Sequence, residues 1–311
     1  MAVRDTNRQQ GTTAGGERRQ QVSLFMKLRS RRFIAYWLIL PLLIVILGLV
    51  VYPFFYSIYL STLNKKETKF KGLYNYRRLL KSNTFWLVVR NSFTFTLTAV
   101  FFKALFGLTL ALIINNLPAR GQRIWRGIAL IPWVMPLSLS TLGWWWIFEP
   151  THSALNWILV QLGFNAVPWL SDPFWARFAV ILTNIWFGTP FFMIMYLAGL
   201  QSIPEELYEA SEIDGAGILQ RFRFVTFPLL RNIIAITMMF STIVTFANFD
   251  IVRVMTRGGP RYSTHLFGTY SFTLGIESGN VPRGAAVSLF MFPFLAIAAF
   301  FILHMVRRST R

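Results

Sequence analysis

The chain has 311 residues, 54% of them hydrophobic, with 31 phenylalanines, 11 tryptophans and no cysteine. This composition excludes an ordinary soluble domain, and the missing cysteines exclude disulfides, thiolate metal sites and a cysteine nucleophile. A formal net charge of +19 would suit a nucleic-acid binder, but the basic residues cluster between apolar runs and leave no folded polar domain to hold nucleic acid.

Residues 1–32 are polar and rich in Arg, Gln, Gly and Thr, with eight basic residues against Asp5 and Glu17. They are expected to form a disordered tail up to about Val22. The run from Phe33 to Tyr59 is too long for a signal-peptide core and lacks a small-residue cleavage site, so it is expected to be a retained span. Six runs reach the ~20 residues needed to cross a hydrocarbon core: about 33–59, 91–114, 124–148, 176–200, 229–251 and 285–306. Backbone groups at membrane depth are satisfied only within a helix or a closed barrel, so these runs predict an all-α membrane protein of six transmembrane helices, with a short tail at 307–311. Trp37, Trp125, Trp144, Trp145, Trp146 and Trp175 fall near span ends, where amphipathic rings favour the interface. Pro41, Pro53, Pro132, Pro136 and Pro190 interrupt the spans; they read either as kinks around a cavity or as ordinary packing.

Orientation follows from Lys and Arg. With both termini cytoplasmic, the inner segments hold 17 basic residues and the outer ones 13, with Lys103 inside a span. The bias is small because Lys65 to Arg90 is strongly basic. The three histidines, His152, His265 and His304, have no metal-ligand spacing.

Between the fourth and fifth runs lies a polar stretch, Gln201 to Arg231, which holds five of the 12 acidic residues. A plain connection needs far fewer residues. Ser202 with Glu205 fits a capping box. Leu207, Ala210 and Ser211 would share one face of the following helix, with Glu205, Glu209 and Glu212 near another. Gly215 and Gly217 would stop it, and a second amphipathic piece, Ile218 to Val225, would end before Pro228. The stretch reads as an acidic-then-basic helical hairpin on the membrane surface, or as a solvated loop.

Within this stretch, Glu209-Ala210-Ser211, three residues, Gly215, nine residues and Val225-Thr226-Phe227-Pro228 resemble the EAA loop of the permease subunits of type I ABC importers. Ser211, Val225 and Phe227 replace Ala, Ile and Leu of the family pattern, each keeping size or apolarity. Ile203 to Gly217, reading IPEELYEASEIDGAG, resembles the carbohydrate branch of that family, the maltose-type and glycerol-phosphate-type permeases. Leu130 to Pro136, Pro168 to Pro173, Asn184 to Pro190, Phe249 to Pro260 and Gly72 to Tyr76 resemble further motifs of that branch, so that the likeness covers about residues 33–306. The maltose-type permease carries extra N-terminal spans and a large outer domain; the chain shows neither and resembles the shorter six-span form.

The resemblance implies a coupling helix on a cytoplasmic ATPase, with Glu209, Ala210, Ser211, Asp214, Gly215, Ala216, Arg221 and Pro228 at the contact. Small residues allow close approach, and Glu209 offers a carboxylate. Arg221 and Arg223 would pair with partner acids, and Ile213, Ile218 and Phe222 would anchor the loop beneath its own spans. The ATPase partner places both termini in the cytoplasm of a bacterial or archaeal cell, the chain lying in the cytoplasmic membrane. The implied assembly is a second six-span permease, a dimer of ATPases and an extracytoplasmic solute-binding protein, set in lipid and carrying a carbohydrate. The alternative cargo is a non-carbohydrate solute. ATP and Mg would sit on the ATPases, because the chain has no G-x-x-x-x-G-K-[S/T] phosphate loop and no acid–base pair placed for catalysis; no cofactor or metal is expected in it. The lack of internal inverted repeats argues against a secondary transporter.

Sugar recognition needs aromatic faces together with amide and hydroxyl groups. Trp133, Asn184, Trp186, Phe187, Gly188, Thr245, Asn248 and Asp250 are the candidates. Asn184 and Gly188 share a helix face, as do Thr245 and Asn248. The resemblance puts Trp133, Asn184, Phe187, Gly188, Thr245 and Asn248 on the sugar site; interhelical hydrogen bonding is the alternative reading. Asp250 would bind solute hydroxyls or pair with Arg253. Lys103 would pair with a carboxylate of the second permease, snorkel to the interface, or touch the solute.

Overall fold

The computed structural model describes residues 31–309 except residue 152. The tail expected over 1–32 therefore lies, up to residue 30, outside the described residues, as do His152 and residues 310–311. The chain divides into two units, one ending at Ser57 and one beginning at Ile58. Among the described residues, five helices are long and apolar enough to cross a membrane, and a bent pair makes a sixth if it counts as one span.

The first unit carries helix α1 (Arg31–Ile46), a π turn (Leu47–Val51) and most of α2 (Tyr52–Ser61). Most of its described apolar side chains, Trp37 and Leu38 among them, stand exposed.

The second unit opens with the end of α2 and a short connecting segment. Leu63 bridges Phe70, and Asn75 at the start of α3 (Tyr74–Leu80) donates to the carbonyls of Ser61 and Leu63, each at 2.8 Å. Helix α4 (Asn83–Asn115) begins at Ser82, whose hydroxyl accepts from the Phe85 amide. It packs along α8 (Pro173–Gln201). The crossing is tight because Gly107 has no side chain: a Cβ there would lie 2.4 Å from the Phe192 Cβ. Small residues let helix backbones approach where lipid gives no hydrophobic drive. α8 starts at Asp172, which accepts from the Phe174 and Trp175 amides, with Pro173 in its first turn. A fixed φ and a missing N–H suit proline to that position.

The run expected as one span over 124–148 is two helices, α5 (Ala119–Val134) and α6 (Leu137–Phe148), bent by 88°. The proline interruption expected in this run is a sharp break at Pro136, and the two pieces can still make up one span. Proline disfavours α geometry in the residue before it; Met135, before Pro136, has ψ 142°, and Pro136 itself has ψ 126°. Pro132, by contrast, stays inside α5. Helix α7 (Ala154–Gln161) follows.

The fifth span is longer than expected. Helix α10 (Ile218–Arg221) runs through a π turn (Phe222–Thr226) into α11 (Phe227–Phe246) with helical dihedrals throughout. The amphipathic piece Ile218 to Val225 is thus not a separate surface helix but the start of the span. Pro228 does not end a helix; it lies in the first turn of α11. The chain breaks at Ala247–Phe249 before α12 (Asp250–Met255). Helix α13 (Phe267–Phe272), a π turn (Thr273–Glu277) and α14 (Val281–Ser309) complete the fold.

Candidate functional site

The loop between the fourth and fifth spans folds as helix α9 (Glu205–Ile213) followed by a reversal. Ser202 does not cap it. Ser202 is the C-cap of α8, its hydroxyl donating to the Gly199 carbonyl at 2.7 Å, and the N-cap of α9 is Pro204, which makes no side-chain cap. The expected capping box is therefore absent. Glu205 and Glu206 lie in the first turn, where carboxylates complement the helix dipole. At the other end Gly215 takes φ +75° and the Ala216 amide reaches back to the Ser211 carbonyl at 2.9 Å. This is a glycine-based helix stop. Gly217 instead precedes α10, its amide donating to the Gln220 side chain.

Two contacts fold α9 onto the fifth span. Arg221 donates to the Glu212 carboxylate, so it is paired inside the loop, contrary to the expectation that it waits for a partner's acid. Tyr208 and the buried Thr226 share a hydroxyl–hydroxyl bond of 3.0 Å. The reading of Ile213 and Ile218 as anchors fails: they are 87% and 81% exposed. Leu207 is also exposed, and the inward side of α9 is Tyr208 and Ser211. Glu209, Ala210, Asp214 and Gly215 all face outward, forming with Ile213, Ile218 and Leu219 a surface of carboxylates and exposed apolar side chains. Sequence reading missed Tyr208 and Thr226; the i,i+3 pairing of Tyr208 with Ser211 was the available signal for an inward polar stripe.

Next to the loop, Gln122 forms a polar knot at the ends of α4, α5 and α8. Its side-chain amide donates to the Asn115 and Leu117 carbonyls, while its oxygen accepts from Arg126 at 3.0 Å and Gln201 at 3.2 Å.

The expected solute residues fall into two groups. Asn184 and Thr245 are buried within the bundle, at 5% and 2% exposure. Phe187, Gly188 and Asn248 are half-buried. Trp186, also half-buried, meets Trp144 of α6 edge-on at 5.5 Å. Trp133 is exposed, near Phe191 at 6.0 Å. The side-chain oxygens of Asn184 and Asn248 are both buried without a hydrogen-bond partner. Buried acceptors are normally satisfied, so each is an unfilled demand. Asn248 lies in the break of the fifth span, and irregular backbone at membrane depth occurs where it is buried in protein or lines a cavity.

Asp250 is exposed and does not pair with Arg253. Arg253 donates to Glu277 at 2.6 Å and lies over the Phe272 ring, 4.7 Å from its centroid. The Glu277 carboxyl titrates below its ordinary value, held first by the Thr273 hydroxyl and then by Arg253. Beneath this pair the buried His265 ring contacts the Thr269 hydroxyl at 3.1 Å. Burial pushes its pKa down to about 4, with Glu277 opposing and Arg253 reinforcing. A groove of about 350 Å³ along α4 and α8, lined by Thr94, Phe102, Phe106, Phe178 and Ile185 among others, holds none of the expected solute residues. No cluster of acids and histidines that could hold a metal occurs among the described residues.

Residues 103–311 match the family described as binding-protein-dependent transport system inner membrane component. The chain is 35% identical to the trehalose/maltose transport system permease protein MalF of Thermococcus litoralis, over 91% of this chain and 96% of that one. It is also 35% identical to the sulfoquinovosyl glycerol transport system permease protein SmoG of Agrobacterium fabrum, over 89% and 91%. A crystal structure of a bacterial ABC transporter that imports the acidic polysaccharide alginate contains a chain of the same fold, with TM-score 0.80 and 24% identity, covering 93% of this chain and all of that one. The membrane-depth helices, the acidic loop at the family's spacing and these likenesses agree: the chain is a multi-pass membrane protein and belongs to the inner-membrane permease components of binding-protein-dependent transport systems.

Proposed function

We propose that the chain is a permease subunit of an ATP-driven carbohydrate importer. It pairs with a second six-span permease, and α9 docks on a dimer of cytoplasmic ATPases that hold ATP and Mg. An extracytoplasmic binding protein delivers the sugar to the outer loops. The observation that carries this reading is α9 itself: Glu209, Ala210 and Gly215 face outward at the family spacing on a helix tied to the fifth span by Tyr208 and Arg221. Such a helix passes displacement to the spans without doing chemistry, so the chain is non-catalytic and both termini are cytoplasmic. Carbohydrate is favoured because the relatives named above transport glycosides, and because unfilled amide oxygens at Asn184 and Asn248 match sugar hydroxyls as donors.

In this mechanism the loaded binding protein docks outside and ATP closes the ATPases. The coupling helices then swing the spans between outward and inward access. The test is uptake into cells carrying the whole transporter, using labelled trehalose, maltose, galacto-oligosaccharide, methionine and phosphate. Sugar uptake that fails without the ATPases supports the proposal; methionine or phosphate uptake with no sugar uptake overturns the carbohydrate assignment.

A further inference from the structure

Lys103 lies in the middle of α4, at 3% exposure. Its stem crosses α8 at Gly188, where a Cβ would sit 2.4 Å from the Lys103 Cδ and 3.3 Å from Nζ. Glycine therefore leaves the slot through which the lysine passes. On the far side Nζ donates to the Thr245 hydroxyl at 2.7 Å. No carboxylate pairs with Lys103 among the described residues. Within this chain Lys103 therefore does not snorkel: its stem is buried mid-helix and its ammonium is taken up by Thr245.

Thr245 is one residue from the end of α11, and its carbonyl accepts the amides of Ala247 and Asn248 where the span breaks. Asn248 offers its unfilled oxygen from that break, and Asn184 offers another one turn along α8 from Gly188. A lysine at membrane depth has a strong demand for an acceptor, because exposing it there is costly. It therefore holds Thr245 firmly, and with it the final turn of α11.

We infer that Lys103 is a positioning residue of the solute path: acting through Thr245, it fixes the break that presents Asn248 to the solute. This rests on the solute-path reading of Asn184 and Asn248. The test uses the assembled transporter in proteoliposomes with its binding protein and, as probes, the labelled solutes of the uptake panel above, methionine and phosphate included. The readout is solute moved per ATP hydrolysed. Lys103→Met and Thr245→Val should each lower that ratio about three- to tenfold, the scale of one net hydrogen bond, while ATP hydrolysis stimulated by the binding protein persists. The double variant should be no worse than the larger single. A merely structural lysine would instead lower assembly, transport and hydrolysis in proportion, leaving the ratio unchanged, and that result overturns the inference. Additive effects in the double variant also overturn it, because the two residues would then act separately. Should Lys103→Met assemble poorly, Thr245→Val and Gly188→Ala, which blocks the slot, carry the same comparison. Asn248→Ala separates the two levels: if it lowers the ratio and neither Lys103→Met nor Thr245→Val does, the inference falls alone, and if none does, the solute-path reading falls too.

Discussion

Tyr208→Phe isolates the joint between the loop and the fifth span. The substitution keeps the ring and removes one hydroxyl. That hydroxyl makes a 3.0 Å bond to Thr226, whose side chain is 4% exposed. A typical intramolecular hydrogen bond contributes about 0.5–1.5 kcal/mol net, and leaving its buried partner unsatisfied costs about 1–3 kcal/mol. Thr226 lies in a helix and can turn its hydroxyl to a backbone carbonyl, so the lower part of that range applies, about 1–2 kcal/mol. Local opening of α9 should rise about five- to thirtyfold. Hydrogen exchange of the amides in Glu205–Ile213, measured on the assembled transporter, reads this directly. Exchange in α4 and α8 should stay unchanged. Adding Glu212→Gln, which breaks the pair with Arg221, should raise the rate further but modestly, because Glu212 is exposed and surface pairs contribute little. Unchanged protection in Tyr208→Phe would mean the hydroxyl bond does not hold the loop to the span.

Three further outcomes are expected. Gly215→Ala puts a Cβ into open space at φ +75°; the strain of about 1–2 kcal/mol leaves the subunit folded, while binding-protein-stimulated ATP hydrolysis collapses, and normal stimulated hydrolysis would remove Gly215 from the docking surface. Asn75→Ala strands the carbonyls of Ser61 and Leu63, costing about 2–4 kcal/mol, seen as a lower thermal midpoint; an unchanged midpoint would mean water replaces the side chain. His265 is held neutral with its pKa at about 4, so the unfolded chain binds more protons between that value and the ordinary ~6.5. Its contribution is full above ~6.5 and falls by up to about 3 kcal/mol as pH drops toward 4; thermal midpoints should decline over this window in the wild type and flatten there in His265→Gln.

The loop was legible because its signature is local. Five acids, a glycine stop and a proline at fixed spacing lie within 31 residues, and α9 and its Gly215 terminus appear where that pattern puts them. The errors at its edges are also local, and each is a competition between two uses of one residue. Ser202 suits an N-cap, but α8 continues far enough to claim it as a C-terminal residue. Pro228 looks like a stop, but a π turn just before it shifts the hydrogen-bond register where the missing N–H falls. In the third run Pro132 and Pro136 looked alike, and only Pro136 sits where the preceding residue left α geometry. Pairings between distant residues were not legible at all. Lys103 meets Thr245 across 142 positions and Asn91 meets His265 across 174. One sequence carries the demand of a buried lysine for an acceptor but not the acceptor's address.

The fifth span joins the two regions that the proposed mechanism must connect, α9 and the break at Asn248. From α10 through α11 its backbone is continuous, with one π turn and no break until Ala247. Thr226 takes the contact from α9 near one end, and Thr245 takes the one from Lys103 beside the break. Nineteen residues separate them, about 28 Å of helix at 1.5 Å per residue, close to the thickness of the hydrocarbon core. A helix is stiff along its axis, so a displacement of α9 arrives at the break with no hinge on the way. Spans two, three and four are meanwhile fastened to one another by Gln122 at the ends nearest α9. Polar contacts are few inside an apolar bundle, and these lie at the two ends of the span that the proposed mechanism sets in motion. On this geometry, weakening Tyr208–Thr226 should uncouple ATP hydrolysis from all solute movement, whereas weakening Lys103–Thr245 should spare hydrolysis and lose solute.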